Sequence, residues 1–377
     1  MRIVDLFSGA GGLTFGFYYN KENNTFVRNN NCNIIFANEY DAAAAAAFRM
    51  NFPDINMLNQ DIRELTEVQV KKLIGDEEID LIIGGPPCQS YSTIGRRVYD
   101  DKAKLYNEYY RMLSIIKPRM FLFENVTGMM SMRDEEGNLV IDNIRKMFAN
   151  INEELGYNIL YKTLDAVNYG IPQHRERVFI IGIRDDLDIE WSFDNLVVES
   201  EQLTLEDAIS DLPHISSGEE IHDYGNGQPT NDYQRLMRDG SKELSAHFLA
   251  TYGDKIQTVM NYVIQGEGRD YINNLVDEGI LNEKYRLTSG YKNTYGRLYA
   301  NRPCTTITNN MSTPSGLRCI HYEQNRALTP REGARIQSFP DWFQFTGNRK
   351  EIKTQIGNAV PPLLAMKFAK QLEKILG

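Results

Sequence analysis

The first 184 residues switch repeatedly between short β-rich runs and stretches with helical spacing. That rhythm constrains the chain most, because neighbouring parallel strands need a crossover, and a helix is the usual one. "RIVDLF" (2–7) is a β-rich run that breaks into "SGAGG", where glycines permit a tight turn into a helix. "NIIFANE" (33–39), "DINMLNQD" (54–61), "EIDLIIGG" (78–85) and "RMFLFEN" (119–125) read as further strands. Between them lie "DAAAAAAFRM" (41–50), with Asp41 as its N-cap, and "ELTEVQVKKLIG" (64–75), closed by a glycine. "AKLYNEYYRMLSIIK" (103–117) is helical and stops at Pro118, and "IDNIRKMFANINEELG" (141–156) is another helix closed by a glycine. "YNILYKTLDAV" and "RERVFIIGIR" end the region as strands. The expected fold class is α/β: a doubly wound mixed sheet with helices on both faces.

From about 185 to 300 the rhythm is lost, which predicts a smaller, irregular second domain. Order returns at "LTPREGARIQSF", where Thr329, Pro330 and Glu332 spell a capping box with proline at the first helical position. The final "NAVPPLLAMKFAKQLEKIL" is an amphipathic helix expected to pack back on the first part.

Composition narrows the function classes. No apolar run reaches about 18 residues, so no membrane span is predicted, and "MRIVDLFSG" shows no signal peptide. Cys32, Cys88, Cys304 and Cys319 form no CxxC, and the five histidines do not cluster, so neither a disulfide framework nor a metal site is expected. A reduced, cytoplasmic setting fits. The net charge of −10 is the wrong sign for a nucleic-acid enzyme, but it is unevenly spread. Residues 185–223 hold thirteen acids and no Lys or Arg; residues 284–322 hold six Lys or Arg and no acid. Two solvated loops would explain this. The sharper reading turns the basic block toward a polyanion and the acidic block away from it.

Ligands of doubly wound sheets sit outside the carboxyl ends of the strands. There this chain places Phe7, Ser8, Gly9, Gly11 and Gly12; then Glu39 and Tyr40; Asp61; Pro86, Pro87 and Cys88; and Glu124 with Asn125. "GAGG" falls short of the dinucleotide fingerprint, and an ordinary turn would explain it. Glu39 suits a ribose diol, Asp61 an adenine amino group, and Tyr40 or Phe7 a stacked ring, so an adenosine-containing cofactor fits. A free cysteine is usually a small buried hydrophobe. Cys88, however, follows two prolines and precedes the polar loop "QSYSTIGRRVYDDKAK", which places it at the mouth of a site. A hydrolase would want a histidine, and His174 is the one candidate in this half. Cysteine with Glu124 suits a different chemistry, in which a thiolate adds to an electron-poor ring while an acid protonates a ring nitrogen.

"DLFSGAGG", "NEYD", "GGPPCQSYS", "ENVTG", "IPQHRERV", "RALTPREGARIQSFP" and "QIGNAVPP" resemble the ordered motif series of the DNA (cytosine-5) methyltransferases, from residue 5 to 362. The gap from 185 to about 300 falls where that family keeps its variable target-recognition region. The resemblance implies the Rossmann-like fold of S-adenosylmethionine-dependent methyltransferases. Residues 1–190, completed by 345–377, would form the catalytic and cofactor domain, and 191–344 the target-recognition domain and hinge. S-adenosylmethionine would be held by Phe7, Ser8, Gly9, Gly11, Gly12, Leu13, Glu39, Tyr40, Asp61, Ile62, Pro86, Leu105, Asn358 and Val360. Cys88 would attack C6 of a cytosine flipped from double-stranded DNA. Glu124, with a pKa raised by burial, would act at N3 and the amine, Arg177 at the base carbonyl, and Arg175 on the cysteine or a phosphate. Pro87, Gln89, Ser90, Ser92, Arg96, Arg97 and Arg297 would meet DNA. The family often has Arg-Asn where this chain has Lys102-Ala103, which weakens bidentate contact at that loop.

The implied enzyme is a monomer in a bacterial cytoplasm, associated with the nucleoid, with a restriction endonuclease as its candidate partner. The nearest alternative is the same chemistry on transfer RNA, but the Cys-Phe-Thr element of that branch is missing. A non-catalytic adenosine-cofactor module would have no use for Cys88 with Glu124.

Overall fold

A computed structural model describes residues 1–87, 105–152, 155–288, 292 and 294–377. Cys88, Gln89, Ser90, Ser92, Arg96, Arg97 and the Lys102-Ala103 pair lie outside the described residues.

Strand β1 (Arg2–Leu6) leads into α1 (Gly12–Tyr18) and a hairpin of β2 (Tyr19–Glu22) and β3 (Thr25–Arg28). Then come β4 (Asn33–Glu39), α2 (Ala42–Asn51), β5 (Asn56–Asn59), α3 (Glu67–Ile74) and β6 (Leu81–Gly84). Next are α4 (Tyr106–Ile116), β7 (Met120–Val126), α5 (Val140–Ala149), β8 (Tyr157–Asp165) and β9 (Glu176–Arg184). Seven of these strands form one sheet in the order β5-β4-β1-β6-β7-β9-β8. The first five are parallel, and β9 runs antiparallel between β7 and β8. The sheet is therefore mixed and doubly wound, as the alternation predicts. Alternate residues of a strand feed opposite cores: Ile3, Leu81, Ile83, Leu122 and Ile181 on one face, Val4, Leu6, Ile82, Phe121 and Ile180 on the other. α1, α2 and the C-terminal helix cover the first face; α3, α4 and α5 cover the second.

Local signals act where the sequence places them. Asp41 accepts the Ala44 N–H at 2.8 Å, and Gly75 ends α3 with φ 68°. α5 differs: it stops at Ala149, seven residues before Gly156, because Ile151 and Asn152 turn back onto the Leu155 carbonyl.

The second region carries α6 (Leu205–Ile209), α7 (Asp232–Arg238), α8 (Asp254–Tyr262) and α9 (Arg269–Asp277). Two short strand pairs join it, β10 (Glu220–Ile221) with β11 (His247–Phe248) and β12 (Gly296–Arg297) with β13 (Arg318–Ile320). Leu205, Ile209, Leu236, Met237, Ile307 and Leu328 join the core of the first sheet face, whereas Val259, Met260, Ile272, Val276 and Ile320 build a separate small core. The chain closes with α10 (Pro330–Ile336), α11 (Arg349–Asn358) and α12 (Pro362–Leu376). α12 lies on the main sheet, Phe368 packing on Phe179 at 4.7 Å and on Trp191 at 6.3 Å.

α10 is buried along its whole length, charges included. Arg335 pairs with Asp211 and, at 2.7 Å, with Asp341; Glu332 takes Arg326 at 2.6 Å. Beside them, the Nδ1 of buried His321 accepts the Glu323 and Gln324 N–H groups at 3.1 Å. Burial pushes His321 down to about 3 and lowers His247 as well. The folded chain thus binds fewer protons than the unfolded chain, whose histidines titrate near 6.5, so this stability exists above that pH and is lost below it. The melting temperature is expected to fall as pH drops from about 6.5 toward 3, with His321 contributing up to about 1.4 kcal/mol per pH unit. His321→Asn, whose side-chain oxygen can accept the same two N–H groups, should flatten that slope in thermal melts across pH; an unchanged slope refutes the assignment.

Candidate functional site

The strand order reverses between β1 and β6, and the parallel register aligns their carboxyl ends: Leu6 pairs with Asn38 and Gly84, and Gly84 with Phe123. The segments that follow these strands therefore share one rim.

After β1 the backbone turns sharply, with φ at 57° for Phe7 and Gly9 and 98° for Gly11. Ser8 donates its N–H to the Asn38 carbonyl at 3.1 Å, and Gly11 to the Ser8 carbonyl at 2.9 Å. Leu13 is buried on α1 behind the turn. A β-carbon at Gly12 would lie 2.4 Å from the Val360 carbonyl oxygen, so the distant "GNAV" segment closes directly over the turn. Val360 is buried there, and Asn358 is exposed.

Glu39 accepts the Gly9 N–H at 2.8 Å on one oxygen and the Asp41 N–H at 2.7 Å on the other. Burial raises its pKa, and these N–H groups push it back down. Tyr40 is 74% exposed, an open ring beside Glu39. Asp61 pairs with Arg63 at 2.5 Å, which holds its carboxyl below the usual range, and Ile62 is buried next to it. The buried amide nitrogen of Gln60 has no hydrogen-bond partner among the described residues. Leu105 is half-buried at the start of α4. An acid held by two N–H groups, an open aromatic face and an unpartnered amide nitrogen together fit an adenosine-bearing group.

The other half of the rim surrounds Glu124. A β-carbon at Gly85 would lie 2.7 Å from Glu124 Oε2, so the backbone leading to Cys88 runs against this carboxyl. Pro86 is buried and Pro87 exposed. Asn125 donates to the Pro86 carbonyl at 3.3 Å, a buried contact that fixes the proline run. Arg177 Nε lies 3.1 Å from Glu124 Oε1 across the β7–β9 pair. Burial pushes the Glu124 carboxyl up; Arg177 and then Arg175 pull it down without cancelling the rise. A carboxyl in this state can hold a proton closer to neutral pH than an exposed one.

Arg175 is buried and donates to the carbonyls of Ile307 (2.9 Å), Gly357 (3.0 Å) and Ala359 (2.9 Å). It thus joins β9 to the second region and to the C-terminal motif. Asp165 receives the Arg175 N–H at 2.8 Å on one oxygen and holds His174 Nδ1 at 2.9 Å on the other.

Two expectations change. Arg297 is not a DNA contact: it is 5% exposed and donates to the carbonyls of Met260, Val263, His321 and Gln324 and to Asn325, closing the small core. The acidic block does not lie away from the basic one, since Leu205 and Glu206 donate their N–H groups to the Arg302 and Ala300 carbonyls. Within the basic block, Arg286 is paired with Asp277 and Glu283, while Lys284, Lys292 and Arg302 are exposed. Sequence reasoning placed Asn125 at a strand end without its hold on Pro86 and passed over Gln173. Gln173 bridges Gln337 at 2.6 Å and the Ile307 N–H at 3.1 Å. Both stand inside the motifs "ENVTG" and "IPQHRERV", which was the available signal.

A family model described as C-5 cytosine-specific DNA methylase matches residues 1–374. Type II methyltransferase M.DdeI of Desulfomicrobium norvegicum is 34% identical, over 99% of this chain and 88% of its own length. Type II methyltransferase M.NgoPII of Neisseria gonorrhoeae is 33% identical, over 100% and 96%. Among solved structures, a protein assigned as a DNA modification methyltransferase from an E. coli prophage superposes with a TM-score of 0.75 at 26% identity, covering 100% and 99%. The S. pombe Dnmt2 methyltransferase shares the fold at a TM-score of 0.58 and 16% identity, covering 99% and 98%.

The two arginines of the site should respond differently to removal. Arg175→Ala strands the buried carbonyls of Ile307 and Gly357 at roughly 1–3 kcal/mol each before relaxation, while the half-buried Ala359 carbonyl keeps Gln337 at 3.4 Å, so a stability loss of at least about 2 kcal/mol is expected in denaturant unfolding. Arg177→Ala should cost less and move the Glu124 pKa further up, because the nearest cation is gone. Equal losses from both would contradict the clasp assigned to Arg175.

Proposed function

The chain belongs to the C-5 cytosine-specific DNA methylase family, and from that premise we propose that it transfers a methyl group from S-adenosylmethionine to C5 of cytosine within a specific double-stranded DNA sequence. The observation that carries this reading is the buried Glu124–Arg177 pair set against the Gly85–Pro86 backbone that leads into Cys88.

Phe7, Ser8, Gly9, Gly11, Gly12 and Leu13 would hold the cofactor on one side, with Glu39 at the ribose and Tyr40, Asp61 and Ile62 at the adenine. Pro86, Leu105, Asn358 and Val360 would complete the pocket. Bound there, S-adenosylmethionine supplies an electrophilic methyl group. For Asp61 to accept from an adenine amine, its carboxylate must share itself between that amine and Arg63.

The thiolate of Cys88 adds to C6 of the cytosine, and the Cys88–C6 bond pushes electron density to C5, the position that takes the methyl group. Glu124, whose protonated form burial favours, would donate toward N3 and contact the exocyclic amine, which makes C6 a better electrophile. Arg177 would orient the base through its carbonyl oxygen and keep Glu124 in place. Loss of the C5 proton, then of the thiolate, releases methylated DNA. A base inside a duplex is out of reach of such a site, so the cytosine is flipped out. Pro87, Gln89, Ser90, Ser92, Arg96 and Arg97 would line the DNA side.

Residues 1–190 with 345–377 carry the chemistry in this reading, and 191–344 the sequence choice and hinge. The Type II names of the relatives support a restriction-modification role; a partner nuclease, a monomeric state and a bacterial cytoplasm belong to the same proposal.

Incubation with labelled S-adenosylmethionine and either duplex DNA or transfer RNA tests the reading. Label should enter DNA at C5 of cytosine, and Cys88→Ala should abolish it. A 5-fluorocytosine duplex should trap an adduct at Cys88, because fluorine cannot leave as a proton. Label in RNA alone, or in DNA with Cys88→Ala, refutes the proposal. Glu124→Gln should cost on the order of 10²–10⁴-fold in turnover and remove the limb of the pH profile on which activity falls as Glu124 ionises. A full-rate variant with an unchanged profile would remove Glu124 from the mechanism.

A further inference from the structure

We propose that Asn309 and Asn310 read base edges of the duplex beside the flipped cytosine and so help to set which DNA sequence is methylated; this rests on the DNA reading above.

The placement comes from backbone pairing. Residues 304–307 run parallel to 172–175: Cys304 donates its N–H to the Pro172 carbonyl, and His174 to the Cys304 carbonyl, both at 2.8 Å. Ile307 then meets Gln173 and Arg175. Two residues past Arg175, Arg177 faces Glu124, and two residues past Ile307 comes Asn309. On the other flank a β-carbon at Gly357 would lie 2.3 Å from the Asn309 nitrogen. The Asn309–Asn310 turn thereby packs against Gly357, beside the exposed Asn358, and follows directly on the Ile307 segment that Gln173 and Arg175 hold.

The turn is fixed from within. Met311 donates its N–H to the Thr308 carbonyl at 3.1 Å, Asn310 to the Thr308 hydroxyl at 3.2 Å, and Thr313 to the Asn310 carbonyl at 2.9 Å. Ser312 ties it to the Leu328 carbonyl at 2.8 Å, and Met311 is buried beneath it. Asn309 and Asn310 are exposed, and neither side-chain amide hydrogen-bonds within the described residues. Two amides on a rigid backbone at the mouth of the site suit recognition that depends on position.

Their chemistry favours bases over phosphates. An amide carries no charge, so it releases no counterion from a phosphate. It offers a donor beside an acceptor, the complement of adenine N7 and N6 in the major groove.

The test methylates a pool of duplexes randomised around a fixed cytosine and sequences the methylated positions. Wild type, Asn309→Ala and Asn310→Ala are compared, with serine replacing alanine wherever a variant melts early. Wild type should select a narrow sequence set. Each variant should lose on the order of ten- to a hundredfold in kcat/KM on the preferred sequence and accept another base at one or two positions. The slope of log affinity against log salt should not change. Variants that keep the wild-type preference overturn the proposal. So does a uniform loss over all sequences with a shallower salt slope, which marks phosphate contacts. If wild type itself methylates no duplex, the DNA reading fails and this inference falls with it.

Discussion

The guanidinium of Arg175 is the tie on which the site depends. Burying that charge is costly unless its donors are satisfied, and here carbonyls distant in sequence take its two terminal nitrogens: Ile307, Gly357 and Ala359. Together they bring in two separate parts of the chain. Ile307 delivers the second region, and Gly357 with Ala359 delivers the C-terminal motif, whose neighbour Val360 roofs the Gly12 turn. The same motif meets Asn309 through Gly357. One side chain therefore ties the start of β9, the second region and the C-terminal motif together, and in the proposed reading this registers the cofactor wall against the base site and the recognition side.

With Arg175 committed to carbonyls, the charge balance at Glu124 rests mainly on Arg177. Burial favours the neutral carboxyl; a cation at 3.1 Å favours the ion. Burial prevails over Arg177 and the more weakly acting Arg175, so the neutral carboxyl is favoured relative to an exposed one. Glu39 faces the same opposition with a different partner, since two backbone N–H groups, and no side-chain cation, offset its burial. The rim thus holds two buried carboxyls tuned by different means, in the proposed reading one for the base and one for the ribose diol.

What the sequence revealed and what it concealed divide along distance. Strand and helix order was legible because the central strands β1, β6 and β7 are covered on both faces and read as continuous apolar runs. The Thr329–Glu332 box was legible because its partners are three residues apart. The β2–β3 hairpin was not read: its strands, "YNKE" and "TFVR", are polar and half-exposed, although Asn23 and Asn24 adopt the positive φ typical of such turns. The strand-end acids and the Pro86–Cys88 run could be placed on one rim from topology alone. Asn125 could be placed there too, but its hold on Pro86 and the bridge of Gln173 to Ile307 and Gln337 could not be read, because those partners lie close only after folding.

Arg297 shows the same limit for charge. A count of cations carries no depth, and its guanidinium turns inward because the carbonyls of Met260, Val263 and His321 converge there. At about 0.1 M salt a surface charge is screened over roughly 10 Å, so the net −10 matters less than the few side chains nearest the bound polyanion. Lys284, Lys292 and Arg302 are the exposed cations of the basic block among the described residues, and Arg302 sits beside the acidic α6, its guanidinium stacked on Tyr299 at 4.2 Å. So sparse a set supplies a modest, sequence-blind attraction. In the proposed reading, discrimination between DNA sequences falls to neutral groups such as Asn309 and Asn310, where a misplaced base leaves a polar amide unsatisfied.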